Sequence, residues 1–219
     1  MILPIGDEQV RGGHLPIFSY SFIVLNVLVF LFEAYLSPDV FQEFIYHYGA
    51  IPAEITQGQD IYTLGTSMFL HASWMHLIGN MMFLWVFADN IEATIGSLRF
   101  VLFYILGGLA AHAAHIYFNM DSSIPTVGAS GAIAAVMGAY LVMFPKSQIR
   151  MFVFFFFPRI PAFLFLGFWI GQQFFYGLGS LNSDAASVAW WAHIGGFAFG
   201  GILGFFFRGL IIEKEDRFA

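Results

Sequence analysis

Gly128-Ala129-Ser130-Gly131-Ala132-Ile133-Ala134-Ala135-Val136-Met137-Gly138-Ala139-Tyr140-Leu141-Val142-Met143-Phe144-Pro145 is an uncharged apolar run that opens on a serine between small residues. Its length and lack of charge read as a membrane-crossing helix. A second apolar run carries Ala192-His193-Ile194-Gly195-Gly196. Serine and histidine inside membrane spans are expensive and mark function there. A hydroxyl is a weak nucleophile until a neighbouring base takes its proton, and a histidine is the usual base. The pair points to a protease working within a bilayer.

Composition agrees. The 219 residues are 59% hydrophobic and 10% charged, with a mean hydropathy of +0.76. Soluble domains carry roughly 25% charged residues, so lipid is the expected solvent. The length suits one domain of several spans. With no cysteine in the chain, disulfides and cysteine-ligated metals are excluded. The net charge of −6 decides little, because charge position matters more here, and no nucleic-acid partner is expected. Residues 1–16 hold Asp7, Glu8 and only one basic residue, Arg11, unlike a cleavable signal or an Arg-rich transit segment. Insertion is expected to rely on the first span.

Runs of about 20 apolar residues fall at 17–36, 75–94, 99–118, 128–145, 160–177 and 189–207. The expected fold is an all-α membrane protein of six transmembrane helices. Residues 1–16 form a short N-terminal segment, 17–207 the membrane domain and 208–219 a C-terminal tail. Met151 to Phe157 is apolar but stops at Pro158-Arg159-Ile160-Pro161, and reads as an interfacial lead-in with Pro161 near the first turn of span five. The loop 37–74 is too long and too mixed to be a plain connector and is expected to lie partly in the outer leaflet.

Basic residues set the orientation. Arg11 precedes span one and Arg99 lies between spans two and three. Lys146, Arg150 and Arg159 lie between spans four and five; Arg208, Lys214 and Arg217 follow span six. The loops 37–74, 119–127 and 178–188 contain neither Lys nor Arg, so all eight basic residues share one side. The positive-inside rule makes that side cytoplasmic, with both termini there. Spans two, four and six then start at the outer face. His76 and Asn80, Ser130, and His193 reach a similar depth from three different helices.

Each residue has a plainer reading. Ser130 in Gly-x-Ser-Gly could serve helix packing alone. Its place at a helix N-terminus favours chemistry, since unpartnered backbone N–H groups and the dipole there would meet an oxyanion. His193 could be a polar residue satisfied between helices. However, it shares a face with Gly196, Gly200 and Gly204, and span four offers Ser130, Ala134 and Gly138 at the same spacing. Two small-residue stripes imply close backbone approach. His76 and Asn80, at i and i+4, read equally as oxyanion donors or as helix-to-helix hydrogen bonding. His71 reads as a loop anchor, and His112 and His115 as structural; His14 and His47 carry no signal. No His-Glu-x-x-His is present, and no metal or other cofactor is expected. Glu33 reads as interfacial. The site would be a dyad, with helix packing orienting the imidazole in place of a third residue.

Three motifs together resemble the rhomboid family of intramembrane serine proteases. They are His71-Ala-Ser-Trp-Met-His76-Leu-Ile-Gly-Asn80, Gly128-Ala-Ser130-Gly131 and Ala192-His193-Ile-Gly195-Gly196, in family order. The resemblance implies Ser130 as nucleophile and His193 as general base. His76 and Asn80, with the Ser130 amide, would form the oxyanion hole. Two departures stand out: Tyr62-Thr63 replaces a Trp-Arg pair of some members, and Ala134 replaces a tyrosine that stacks on the histidine in others. Inactive relatives lack the Ser–His pair that this chain retains.

The expected activity is endoproteolysis of single-span membrane proteins near their outer face, through an acyl-enzyme. The expected setting is a bacterial plasma membrane, with the bilayer itself a partner. Lateral substrate access is expected beside span five, at Phe168, Trp169, Gln172, Gln173 and Phe174. The competing reading is a non-catalytic transporter or membrane-protein binder. Transporters favour paired half-helices or mid-membrane charge, and the spans offer neither.

Overall fold

The computed structural model describes residues 2–8, 15–180 and 188–217, with side chains as far as Leu210. Arg11 and His14 lie outside the described residues, as do the side chains of Lys214 and Arg217. Strand β1 (Ile2–Gly6) leads into α1 (Ile17–Tyr35). The long first loop folds as α2 (Pro38–Tyr48), α3 (Pro52–Thr56), α4 (Thr63–Thr66) and a 3-10 turn, Ser67–Phe69. Then follow α5 (Trp74–Ile95), α6 (Ser97–Phe118), α7 (Ser130–Met143), β2 (Gln148–Val153), β3 (Arg159–Pro161), α8 (Ala162–Ser180) and α9 (Trp190–Arg217).

Six helices therefore lie on the six apolar runs. Three of these, α1, α6 and Trp190–Leu210 of α9, are long and apolar enough to cross a membrane. Asn80, Asp89, Asn90 and Glu92 dilute α5, and Gln172 and Gln173 dilute α8. Large apolar side chains such as Leu28, Trp85, Leu102, Phe168 and Phe205 stand exposed on the outer faces. Water would drive such surfaces together, whereas acyl chains solvate them.

Four boundaries differ from expectation. The fold is not purely helical: β1, β2 and β3 form an antiparallel sheet in that order, with Leu3 opposite Phe152 and Arg150 opposite Arg159. Met151 to Phe157 accordingly belongs to a β-hairpin, which leads into α8 directly after Pro161. Its backbone is satisfied by cross-strand pairing, with Met151 donating to the Pro158 carbonyl at 2.9 Å. The chain reverses at Phe154 and Phe155, whose φ angles are 44° and 77°. Val153 and Phe156 exchange N–H to C=O bonds of 2.9 and 2.8 Å across the turn. Within the N-terminal segment, β1 forms one edge of the sheet. Helix α9 runs on through 208–217, where a tail was expected. Helix α7 has 14 residues and covers only about 21 Å at ~1.5 Å per residue.

Glu92 explains how the ends are tied. The first amides of a helix lack internal partners. The Glu92 carboxylate accepts from the Phe18 and Ser19 amides at 3.1 and 2.8 Å and from Ser19 Oγ at 2.8 Å. It also accepts from Ser97 Oγ at 2.7 Å. One buried acid thus caps α1 and joins it to α5 and the start of α6. Nearby, Asn90 donates to Asp7 Oδ2 at 2.6 Å and Tyr140 donates to the same carboxylate, fixing the chain after β1.

Helix α7 is buried nearly throughout, as an all-round apolar helix at the centre of a bundle should be. Its closest neighbour is α9. A methyl group on Gly196 would strike the Gly131 carbonyl, and one on Gly200 the Ala135 carbonyl; on Gly204 it would lie 2.8 Å from Ala139 Cα. The stripe therefore meets Gly131, Ala135 and Ala139, one residue on from the expected row. The Ser130 row lies beside it: Ser130 meets His193, and Gly138 lies against Phe197 and Gly201.

Candidate active site

Ser130 is the first residue of α7, and the backbone before it is held from two sides. Ala50 and Thr126 exchange N–H to C=O bonds of 3.0 and 2.8 Å, so the first loop braces the approach. That loop is itself pinned by Tyr62 Oη, donating to the His47 carbonyl at 3.0 Å, and by Thr66 Oγ1, donating to the Tyr48 carbonyl at 2.7 Å. Gly128 donates its N–H to the Ser67 carbonyl at 2.8 Å and takes φ +124°, a conformation that favours glycine. A methyl group there would sit 2.8 Å from His76 Nε2 and 3.6 Å from Asn80 Nδ2. The glycine is what lets the chain pass these side chains.

His193 lies in the first turn of α9, which starts at Trp190. Its Nε2 is 2.9 Å from Ser130 Oγ, across 63 residues of sequence. Its Nδ1 is 2.7 Å from Oε1 of Gln173 on α8. The Gln173 Nε2 donates to the Trp169 carbonyl at 3.1 Å. The imidazole is flanked by Trp169, with centroids 5.7 Å apart, and Trp190 stands edge-on at 6.3 Å. Ala134 is fully buried and supplies no stacking ring; tryptophans of α8 and α9 flank the base instead.

His76 and Asn80 are placed by the start of α5. Ser73 caps that helix, its Oγ accepting from the His76 amide at 3.2 Å. Asn80 donates through Nδ2 to His71 Nε2 at 2.9 Å. The His71 ring is fully buried, 5.0 Å from His76 and edge-on to Phe30. Burial drives its pKa down to about 3, with His76 adding to the fall. A neutral His71 can therefore accept from Asn80. The Asn80 amide has a second N–H to offer elsewhere.

Glu33, near the end of α1, faces protein. It is 1% exposed, and its Oε2 accepts from the His71 amide at 3.2 Å. His112 Nε2 lies 3.1 Å from Ser67 Oγ, steadying the turn that holds Gly128. A cavity of about 590 Å³ opens beside His76, His115 and Ala189, with polar walls at Asn119, Asp121 and Ser122.

Ser130, His193, His76 and Asn80 are thus gathered in one place from three helices. Gln173 was weighed only as a substrate-access residue, and a dyad without a third group was expected. The structure puts Gln173 on the base. A signal was present: Gln172-Gln173 within an apolar span is as costly as the histidine was.

A family model described as "Rhomboid domain" matches residues 58–210. The chain is 26% identical over 160 residues to Rhomboid protein 1, mitochondrial, of Saccharomyces cerevisiae, covering 69% of this chain and 43% of that protein. It is 32% identical over 138 residues to Rhomboid protease GluP of Bacillus subtilis, covering 63% of this chain and 26% of that one. Rhomboid-related protein 2 of Mus musculus is 26% identical over 193 residues, 84% of this chain and 61% of that protein. The chain spans less than two thirds of each relative.

Proposed function

The chain belongs to the rhomboid family, and from that premise we propose that it is an intramembrane serine endopeptidase. The observation that carries the reading is the 2.9 Å approach of Ser130 Oγ to His193 Nε2 at the start of a buried apolar helix. Ser130 attacks a substrate carbonyl as its proton passes to Nε2. The resulting oxyanion faces the Ser130 amide, His76 and the spare N–H of Asn80, each donor worth a few kcal/mol in the transition state. His193 returns the proton to the leaving amine, which departs and leaves an acyl-enzyme. A water molecule deprotonated by His193 then attacks the acyl carbonyl, releases the carboxylate and returns the proton to Ser130 Oγ.

In this reading all six long helices cross the bilayer, with both termini on the cytoplasmic side of a bacterial plasma membrane. Helix α7 completes its crossing with the residues before it, irregular backbone that lines a cavity. Substrates are single-span membrane proteins with small residues at the scissile bond and helix-weakening residues nearby. A carbonyl inside a helix is shielded, so the segment must unwind first. Access is lateral, along the exposed Phe168 and Phe174 of α8.

A fluorophosphonate probe and a transmembrane substrate test this in detergent. Wild type is expected to be labelled on Ser130 and to cleave; Ser130→Ala and His193→Ala are expected to do neither while inserting normally. Cleavage by purified Ser130→Ala would overturn the mechanism.

A further inference from the structure

We propose that Gln173 is a positioning residue that fixes the tautomer of His193, an inference that rests on the Ser130–His193 chemistry above. A neutral imidazole carries one N–H and one lone pair, and only one arrangement makes it a base toward Ser130. The lone pair must be on Nε2, 2.9 Å from Oγ, and the proton on Nδ1. Helix packing alone holds a ring in place but does not choose between its nitrogens.

Gln173 makes that choice through groups with fixed roles. The Trp169 carbonyl can only accept, so the amide end facing it at 3.1 Å is the NH₂. The end facing Nδ1 at 2.7 Å is then the carbonyl oxygen, which also can only accept. Nδ1 must donate. The proton is therefore held on Nδ1, and Nε2 is left open for the serine hydroxyl. Gln173 is 5% exposed, so water does not compete for either bond.

The choice of an amide has a physical reason. A buried carboxylate would bind the imidazolium more tightly but would need desolvation within the bundle. An amide dipole orients both the neutral and the charged ring and carries no charge of its own. Trp169 serves twice, giving the carbonyl that locks Gln173 and a ring that flanks the same imidazole. Helix α8 thus supplies the orientation of the base through residues four apart on one face.

The test uses the full chain in detergent with Gln173→Met, which keeps length but loses the acceptor, and Gln173→Glu, which keeps it. Fluorophosphonate labelling of Ser130 is expected to slow on the order of ten- to a hundredfold in Gln173→Met. Gln173→Glu should retain most of the rate, with the acid limb of its pH profile moved upward because a carboxylate favours imidazolium. Nitrogen-15 NMR of histidine-labelled wild type, with His193→Ala for assignment, should find the proton on Nδ1. A Gln173→Met rate equal to wild type, or a wild-type proton on Nε2, overturns the inference alone. Absence of Ser130 labelling in wild type overturns the protease reading itself. If Gln173→Met does not fold, the wild-type tautomer decides.

Discussion

Asn80 gives one side-chain N–H to Nε2 of His71 across 2.9 Å. On the proposed mechanism, the oxyanion donor is therefore aimed by a second histidine. Asn80→Ala is expected to lower kcat by about ten- to a thousandfold while leaving KM nearly unchanged, because backbone amides still hold the oxyanion. His76→Ala should be similar or worse. His71→Leu should act through Asn80 and cost on the order of tenfold, again in kcat. Steady-state kinetics on a transmembrane substrate separates these outcomes from a binding role, which would raise KM alone.

His71 also makes stability depend on pH. Its pKa is about 3 in the folded protein, lowered first by burial and then by His76, against about 6.5 when unfolded. Between those values the unfolded chain binds a proton that the native chain refuses. Stability contributed by His71 is thus complete above about pH 6.5 and is lost as pH falls toward 3. Other histidines add their own slopes, so the difference between wild type and His71→Gln is the quantity to measure. Denaturant unfolding in mixed micelles should give the wild type the steeper decline below pH 6.5.

Glu92→Ala should destabilise the fold without touching the chemistry. It strands the Phe18 and Ser19 amides and two hydroxyls that Glu92 now satisfies. Bonds to a charged acceptor are worth roughly 1.5–3 kcal/mol each and are not additive, so a loss on the order of 3 kcal/mol is expected. Equilibrium unfolding gives the size. The fraction that stays folded should label with fluorophosphonate at the wild-type rate.

Gly200→Leu should inactivate the enzyme, though Gly200 performs no chemistry. Even a methyl group there overlaps the Ala135 carbonyl, which is backbone and cannot rotate away. Pushing α9 off α7 by about 1 Å at the Ser130–His193 pair is worth on the order of a hundredfold in rate. Phe206→Leu, at an exposed position, should be tolerated. Labelling and cleavage of the two variants side by side checks the assignment of the faces.

Long apolar runs were legible because their signal is additive over many residues, and the six helices fall on them. The hairpin at 148–161 was not, because Met151 to Phe157 is apolar in either structure and its partner strand lies at residues 2–6. That Ser130, His193, His76 and Asn80 come together could be expected from their polarity near the ends of apolar runs. Gln173 was read as facing the substrate because spacing on α8 alone cannot tell which neighbour a residue meets. The bond of Glu33 to the His71 amide was hidden for the same reason. The α9 stripe found the right partner helix but missed its row by one residue, since crossing geometry is settled by both backbones at once.

The 14 residues of α7 also bear on what becomes of a cut protein. A helix of about 21 Å falls short of a hydrocarbon layer of about 30 Å. In the proposed orientation, with the far end of α7 at the inner boundary, Ser130 would sit on the order of 10 Å beneath the outer one. A severed span then leaves about six or seven helical residues on the outer fragment and about fourteen on the inner. The shorter stub buries too little apolar surface to keep its domain anchored, whereas the longer one is held more firmly. Shortness at the centre of the bundle would make the reaction one-sided: the ectodomain is shed, and the remnant stays behind.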